Sequence, residues 1–213
     1  MAADEDREGP NWSEIIATVL LSIATVASAF SGYQSARWSG EQAKANRAAG
    51  ALRTESTRQS NLASSQTVVD VMTFAAWVDA VAVGDERRSD FYEDRFRPDF
   101  VPAFEDWVGT ARGTGEVPDG TPFASELYVL PAALEAERLV VEADAAAARS
   151  DEANQHADNF VFTAVIYASV LFFAGIASKM SGRVSNRIAV GLAGLMFVVA
   201  TTVVVNLPWN VGF

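Results

Sequence analysis

Apolar residues run on without a charge in three places along the chain, over residues 15–33, 160–178 and 188–207. Each run is about 20 residues long, the length an α-helix needs to cross roughly 30 Å of hydrocarbon. Between the first run and the closely spaced second and third lies a long polar and acidic segment. The pattern divides the chain into a disordered acidic tail (1–11) and a first transmembrane helix (12–38). A soluble helical stalk and cap follow (39–158), then a second transmembrane helix (159–179), a basic loop (180–187), a third transmembrane helix (188–207) and a short tail (208–213).

The stalk is predicted to be two long helices. No proline falls between Asn11 and Arg97, so nothing stops the first helix sharply after the membrane. Ala48, Leu52, Leu62, Val69, Ala76, Ala80 and Val83 fit a seven-residue pattern, which Glu55, Gln59, Gln66 and Thr73 interrupt. A seam so polar and so rich in alanine is weak as a two-stranded coiled coil and suits close packing on another Ala-rich helix. Residues 132–157 supply one, dominated by Ala, Glu and Leu, and run without a breaker into the second span. The two helices are expected side by side and antiparallel.

At the far end the composition changes. Phe91, Tyr92, Phe96, Phe100, Phe104 and Trp107 cluster around Pro98 and Pro102, and Gly109, Gly113, Gly115, Pro118 and Gly120 follow in a loop. A small cap of short helices with an aromatic core is expected, a binding surface for a protein partner being the other reading. The fold class is therefore an all-α membrane protein with three transmembrane helices, a long antiparallel stalk and an aromatic-rich cap.

Within the spans, small residues mark helix-packing faces: Ala24, Ser28 and Gly32 four apart in the first, Gly191 and Gly194 in the third. Trp12, Tyr33 and Trp38 lie where amphipathic rings favour the headgroup region. Arg37 and Glu41 are four apart, a spacing that allows an ion pair on one helix face.

Charge and composition narrow the functions. The net charge is −11, and the acid sits outside the spans, which disfavours nucleic acid and anionic headgroups as partners of the soluble part. The chain has no cysteine, which excludes disulfides, thiolate nucleophiles and cysteine zinc sites. The leader resembles a secretory signal only in Ala27-Ser28-Ala29; its acidity points to an uncleaved anchor. Lys179, Arg183 and Arg187 in the short loop favour its cytoplasmic placement, with the soluble segment and C-terminus outside; Arg37, Lys44, Arg47 and Arg53 vote the other way, and the short loop weighs more.

Few groups offer chemistry. Asp70 and Thr73 lie in the apolar stretch 68–83, where an intramembrane acid would mark an ion route, and Gln59 and Gln66 lie in or beside a polar run that would line a pore in an oligomer. A helix buried in the stalk or cap, with a solvated face, is the plainer expectation. His156, the sole histidine, lies about one turn before the second span and is either a pH-sensitive group or a polar surface residue. The chain contains no phosphate loop, zinc-protease, EF-hand or nucleophile-elbow motif. No enzymatic activity, cofactor or metal is expected.

The opening ATVLL and SGYQSARWSGEQA segments (residues 17–21 and 31–43), with residues 69–74 and 171–175, resemble a group of uncharacterised bacterial membrane proteins. The resemblance implies a bacterial cell-membrane protein with one span, a soluble segment and a C-terminal hairpin. It carries no activity and no functional residues. The expected role is a homo-oligomeric scaffold or accessory subunit in the bilayer, the alternatives being an oligomeric channel or transport component and a membrane-anchored sensor.

Overall fold

The computed structural model describes residues 12–109, 118–179 and 182–211. The acidic tail 1–11 and the Gly113–Gly115 part of the cap loop lie outside the described residues. Among the described residues there are five α-helices: α1 (Trp12–Ala82), α2 (Glu86–Glu93), α3 (Val101–Gly109), α4 (Pro131–Ala177) and α5 (Arg183–Asn206). A short 3-10 turn, Pro122–Ala124, precedes α4. The described residues contain no strand.

α1 is one helix of 71 residues, as the absence of an internal breaker predicts. Its end is built from local backbone chemistry. Gly84 takes φ +70°, its N–H donates to Val81 O at 3.1 Å, and Asp85 N–H donates to Ala80 O at 3.0 Å. This pair of bonds satisfies the last carbonyls and needs a left-handed residue at Gly84. Asp85 then caps α2, its carboxylate accepting from Arg88 N–H at 3.1 Å. α4 begins on Pro131, a position where the missing N–H costs nothing.

The chain forms two compact units, Met1–Arg47 with Ala146–Phe213, and Ala48–Ala145. In the first, the N-terminal part of α1, the C-terminal part of α4, and α5 pack around Ala24, Phe160, Tyr167, Val170, Ala174, Ala193, Ala200 and Val204. Among the described residues three helices are long and apolar enough to cross a membrane: α1 near its N-terminus, α4 and α5. This is the make-up of a multi-pass membrane protein. Val26, Phe172 and Val198 point outward at 70%, 62% and 60% exposure, a surface that only hydrocarbon would favour. Inside, hydroxyls join the helices: Thr163 Oγ1 donates to Ser31 Oγ at 3.3 Å, and the Tyr167 hydroxyl meets Thr201 Oγ1 at 3.1 Å.

In the second unit α1 and α4 run antiparallel. Arg53 meets Asp144, Ser56 Oγ donates to Ala136 O, and Ala63 packs on Leu130 and Ala132, so the partner number falls as the α1 number rises. α4 buries Ala132, Ala136, Leu139 and Ala143 at alternating four- and three-residue steps. The α1 seam keeps the predicted Ala80 and moves the predicted Ala48, Leu62, Val69 and Ala76 by one residue, to Ala49, Ala63, Asp70 and Trp77. Ala49, Ser56, Ala63, Asp70 and Trp77 are buried, whereas Leu62, Val69 and Val83 are exposed. Close approach of two helices selects small side chains, and the larger aliphatic ones are turned out.

The cap is an aromatic core. Phe74, Trp77, Phe96, Phe100, Phe104 and Trp107 are buried together, with Tyr92, Phe123 and Tyr128 against them. Ring centroids lie 5.0 Å apart for Trp77–Phe104 and 4.7 Å for Phe96–Phe104, mostly edge to face. Residues 68–83 thus form the inner wall of the cap, with Asp70, Phe74, Trp77 and Ala80 as its buried side chains.

Candidate functional site

Two clusters gather the polar side chains singled out by the sequence, one in each unit. In the cap-bearing unit the centre is Asp70, which is 1% exposed on α1. Arg97, in the connection between α2 and α3, donates from Nε to Asp70 Oδ1 at 2.9 Å. The Tyr128 hydroxyl donates to Asp70 Oδ2 at 3.0 Å. Arg97 also reaches Asp99 Oδ2 at 3.1 Å, and Tyr128 lies 3.4 Å from Thr67 Oγ1. A buried carboxylate is tolerable only when paired and hydrogen-bonded, and both oxygens here have a partner. Burial, followed by the hydrogen bond and charge of Asp70, pushes the Tyr128 phenol up, with Thr67 and Arg97 opposing.

The other residues proposed for a polar lining lie along the seam. Gln59 and Gln66 are half-buried between Ser56, Ala63 and Asp70, and Thr73 is half-buried with its hydroxyl on Val69 O. Gln59 donates to Glu55 at 2.9 Å. Glu55 is held well below its ordinary carboxyl value, to about 2, by hydrogen bonds first from Arg58 and then from Gln59. On α4, Arg138 bonds Glu135 and Glu142, and it holds the Glu135 carboxyl low in the same way.

In the membrane unit the centre is a clamp on the segment after α5. Gln34, 1% exposed, accepts the Asn210 N–H on Oε1 at 2.9 Å and faces Asn210 O from Nε2 at 3.5 Å. Arg37 donates to Asn210 Oδ1 at 3.4 Å, and the Trp38 indole N–H donates to Pro208 O at 3.0 Å. Phe30 and Trp209 stack edge to face at 5.3 Å. On its α4 side, Trp38 lies 4.6 Å from the ring of His156. Gln42 donates to Asn154 Oδ1 at 2.9 Å and its carbonyl accepts from Ser150 at 3.2 Å.

Of the interfacial residues, Trp12 and Tyr33 are open, at 70% and 56% exposure, while Arg37 and Trp38 turn toward the C-terminal segment. Glu41 meets Lys44 at 2.8 Å rather than bonding Arg37, and Lys44 first, with Arg37 acting only at longer range, keeps its carboxyl low. Of the packing residues, Ala24 is buried, Ser28 and Gly194 are half-buried, and Gly32 and Gly191 face outward with nothing within 4 Å of an added Cβ. Inside the unit the close-packed positions of α1 are Ala17, Ala24 and Ser31, seven apart, and those of α5 are Ala193 and Ala200. Sequence reasoning missed Arg97 and Tyr128, and it did not pair Gln34 with Asn210. Polar residues beside a proline or at a span edge were the only available signal.

Compared with protein-family models, curated proteins and solved structures, the chain matches none. The geometry alone therefore carries the functional reading.

Proposed function

We propose that this chain is a non-enzymatic, multi-pass scaffold or accessory subunit that assembles with copies of itself in a bacterial inner membrane. The Ala48–Ala145 unit would stand on the outer side and the short basic loop on the cytoplasmic side. The observation that carries the reading is the outward row on α1 of that unit. Leu62, Val69 and Met72 are 46%, 50% and 68% exposed, and Val83, one residue past the end of α1, is 73% exposed, away from the N-terminal stretch of that helix that is apolar enough to cross a membrane. A lone copy in water would leave this row uncovered, and a neighbouring copy, held at the same height by its own anchors, would bring an identical row alongside.

The channel reading draws less support. Asp70, its strongest candidate for an ion route, is paired within its own chain with Arg97 and accepts a hydrogen bond from Tyr128. Molar mass of the purified protein in detergent or nanodiscs tests the proposal. A defined homo-oligomer that falls to a monomer in Val69→Glu or Met72→Glu supports it. A wild-type monomer overturns it, and ion flux abolished by Asp70→Asn with the fold intact replaces it with the channel.

A further inference from the structure

Trp38 stands between two partners that the sequence gives no reason to connect. One is the Pro208 carbonyl, which accepts its indole N–H at 3.0 Å. The other is His156 on α4, whose ring lies 4.6 Å away at 50°. His156 Nε2 is 3.7 Å from Glu152 Oε1, and Glu152 is 71% exposed. His156 Nδ1 is shut off from solvent and has no hydrogen-bond partner among the described residues.

We propose that His156 and Trp38 form a pH-sensitive strap release, in which protonation of the imidazole loosens the C-terminal segment Pro208–Asn210 from α1. Imidazole is the side chain whose charge changes most readily near neutral pH. Both nitrogens of the charged ring are donors. In the observed position Nδ1 would then be a buried donor without an acceptor, which is costly. The outward side offers the charged ring both water and the Glu152 carboxylate. Uptake of the second proton draws the ring outward, away from Trp38, the cost of the stranded donor outweighing the attraction between the charged ring and the indole. The indole loses its packing support, and its bond to Pro208 O weakens.

On α1, Arg37 reaches Asn210 and Glu41 meets Lys44. On α4, Glu152 is the carboxylate that meets the ring, and Asp158 is bonded by Asn154. The segment Pro208–Asn210 has no titratable side chain. The strap release is independent of self-assembly, since every group in it belongs to one copy.

The absence of cysteine makes a clean test possible. A nitroxide on Val211→Cys, in the full chain in nanodiscs, reads the mobility of the segment between about pH 8 and about pH 5. The proposal expects the mobile fraction to rise on acidification in an otherwise wild-type chain and to stay constant when His156→Gln is added. A mobile fraction that is unchanged or falls with acid, or a rise that persists in His156→Gln, overturns it. A second measurement needs no histidine variant: the Trp38 emission, isolated by subtracting the Trp38→Phe protein, should shift to the red on acidification, and a constant emission overturns the proposal.

Discussion

Replacing Asp70 with alanine removes the carboxylate that holds two separate pieces of the cap on α1. The side chain is 1% exposed, and Arg97, its ion-pair partner, is 21% exposed. Breaking a buried pair by deleting one member costs about 3–5 kcal/mol, because the other charge is stranded. Here the stranding is partial, since Arg97 keeps Asp99 at 3.1 Å and Tyr128 keeps Thr67 at 3.4 Å. The expected cost is therefore at the low end, about 3 kcal/mol, or roughly a hundredfold in the opening equilibrium of the cap. Asp70→Asn keeps the shape and one carbonyl acceptor, and should cost less, about 1–2 kcal/mol. Hydrogen exchange of the full chain in nanodiscs, followed on peptides covering α2 and α3, measures both. Protection factors in α2 and α3 that change less than threefold in Asp70→Ala would refute the idea that this carboxylate fastens the cap.

Tyr128→Phe deletes one hydrogen bond to the same carboxylate while keeping the ring, and should lower cap protection by about 1 kcal/mol in the same experiment. Ala143→Leu forces a larger side chain into a seam position that is 0% exposed, and should destabilise the Ala48–Ala145 unit by about 1–3 kcal/mol in denaturant titration, while Val141→Leu on the exposed side should be near neutral. Glu55 has a folded value depressed from 4.5 to about 2, so its stabilising contribution is present above 4.5 and is lost as pH falls toward about 2. Side-chain carbonyl NMR should show this group ionised well below the ordinary glutamate range, and Arg58→Gln should raise it part of the way back, the Gln59 hydrogen bond remaining.

The three spans, the two long helices and the aromatic cap are legible in the sequence because each rests on a strong local signal. Those signals are uncharged runs of membrane length, a proline-free stretch, and aromatics crowded between prolines. The seam register is not legible from hydrophobicity. Leu62, Val69 and Val83 attract a seven-residue reading, yet the helices meet on Ala49, Ser56, Ala63 and Asp70, one position later. Small side chains let the backbones approach, and an apolar residue too large for that gap is placed outside. The alternating steps of alanine in α4 carry the better signal, since in an Ala-rich helix size decides the packed face. The polar sites were illegible for a different reason. Asp70 meets Arg97 and Tyr128 only because the cap folds back, and Gln34 meets Asn210 across 176 positions of sequence. No spacing within one element announces such a pair.

The proposed function requires three crossings, with the Ala48–Ala145 unit in water. Single-cysteine labelling with a charged, membrane-impermeant maleimide in open membrane sheets tests this directly, because the natural chain has no cysteine to mask. Leu134→Cys and Val141→Cys, on the exposed side of α4 in that unit, should react at once, while Val26→Cys, Phe172→Cys and Val198→Cys, all outward-facing in the spans, should react only after detergent is added. Protection of both Leu134→Cys and Val141→Cys until detergent is added, or ready labelling of the three span positions without detergent, would contradict the proposal.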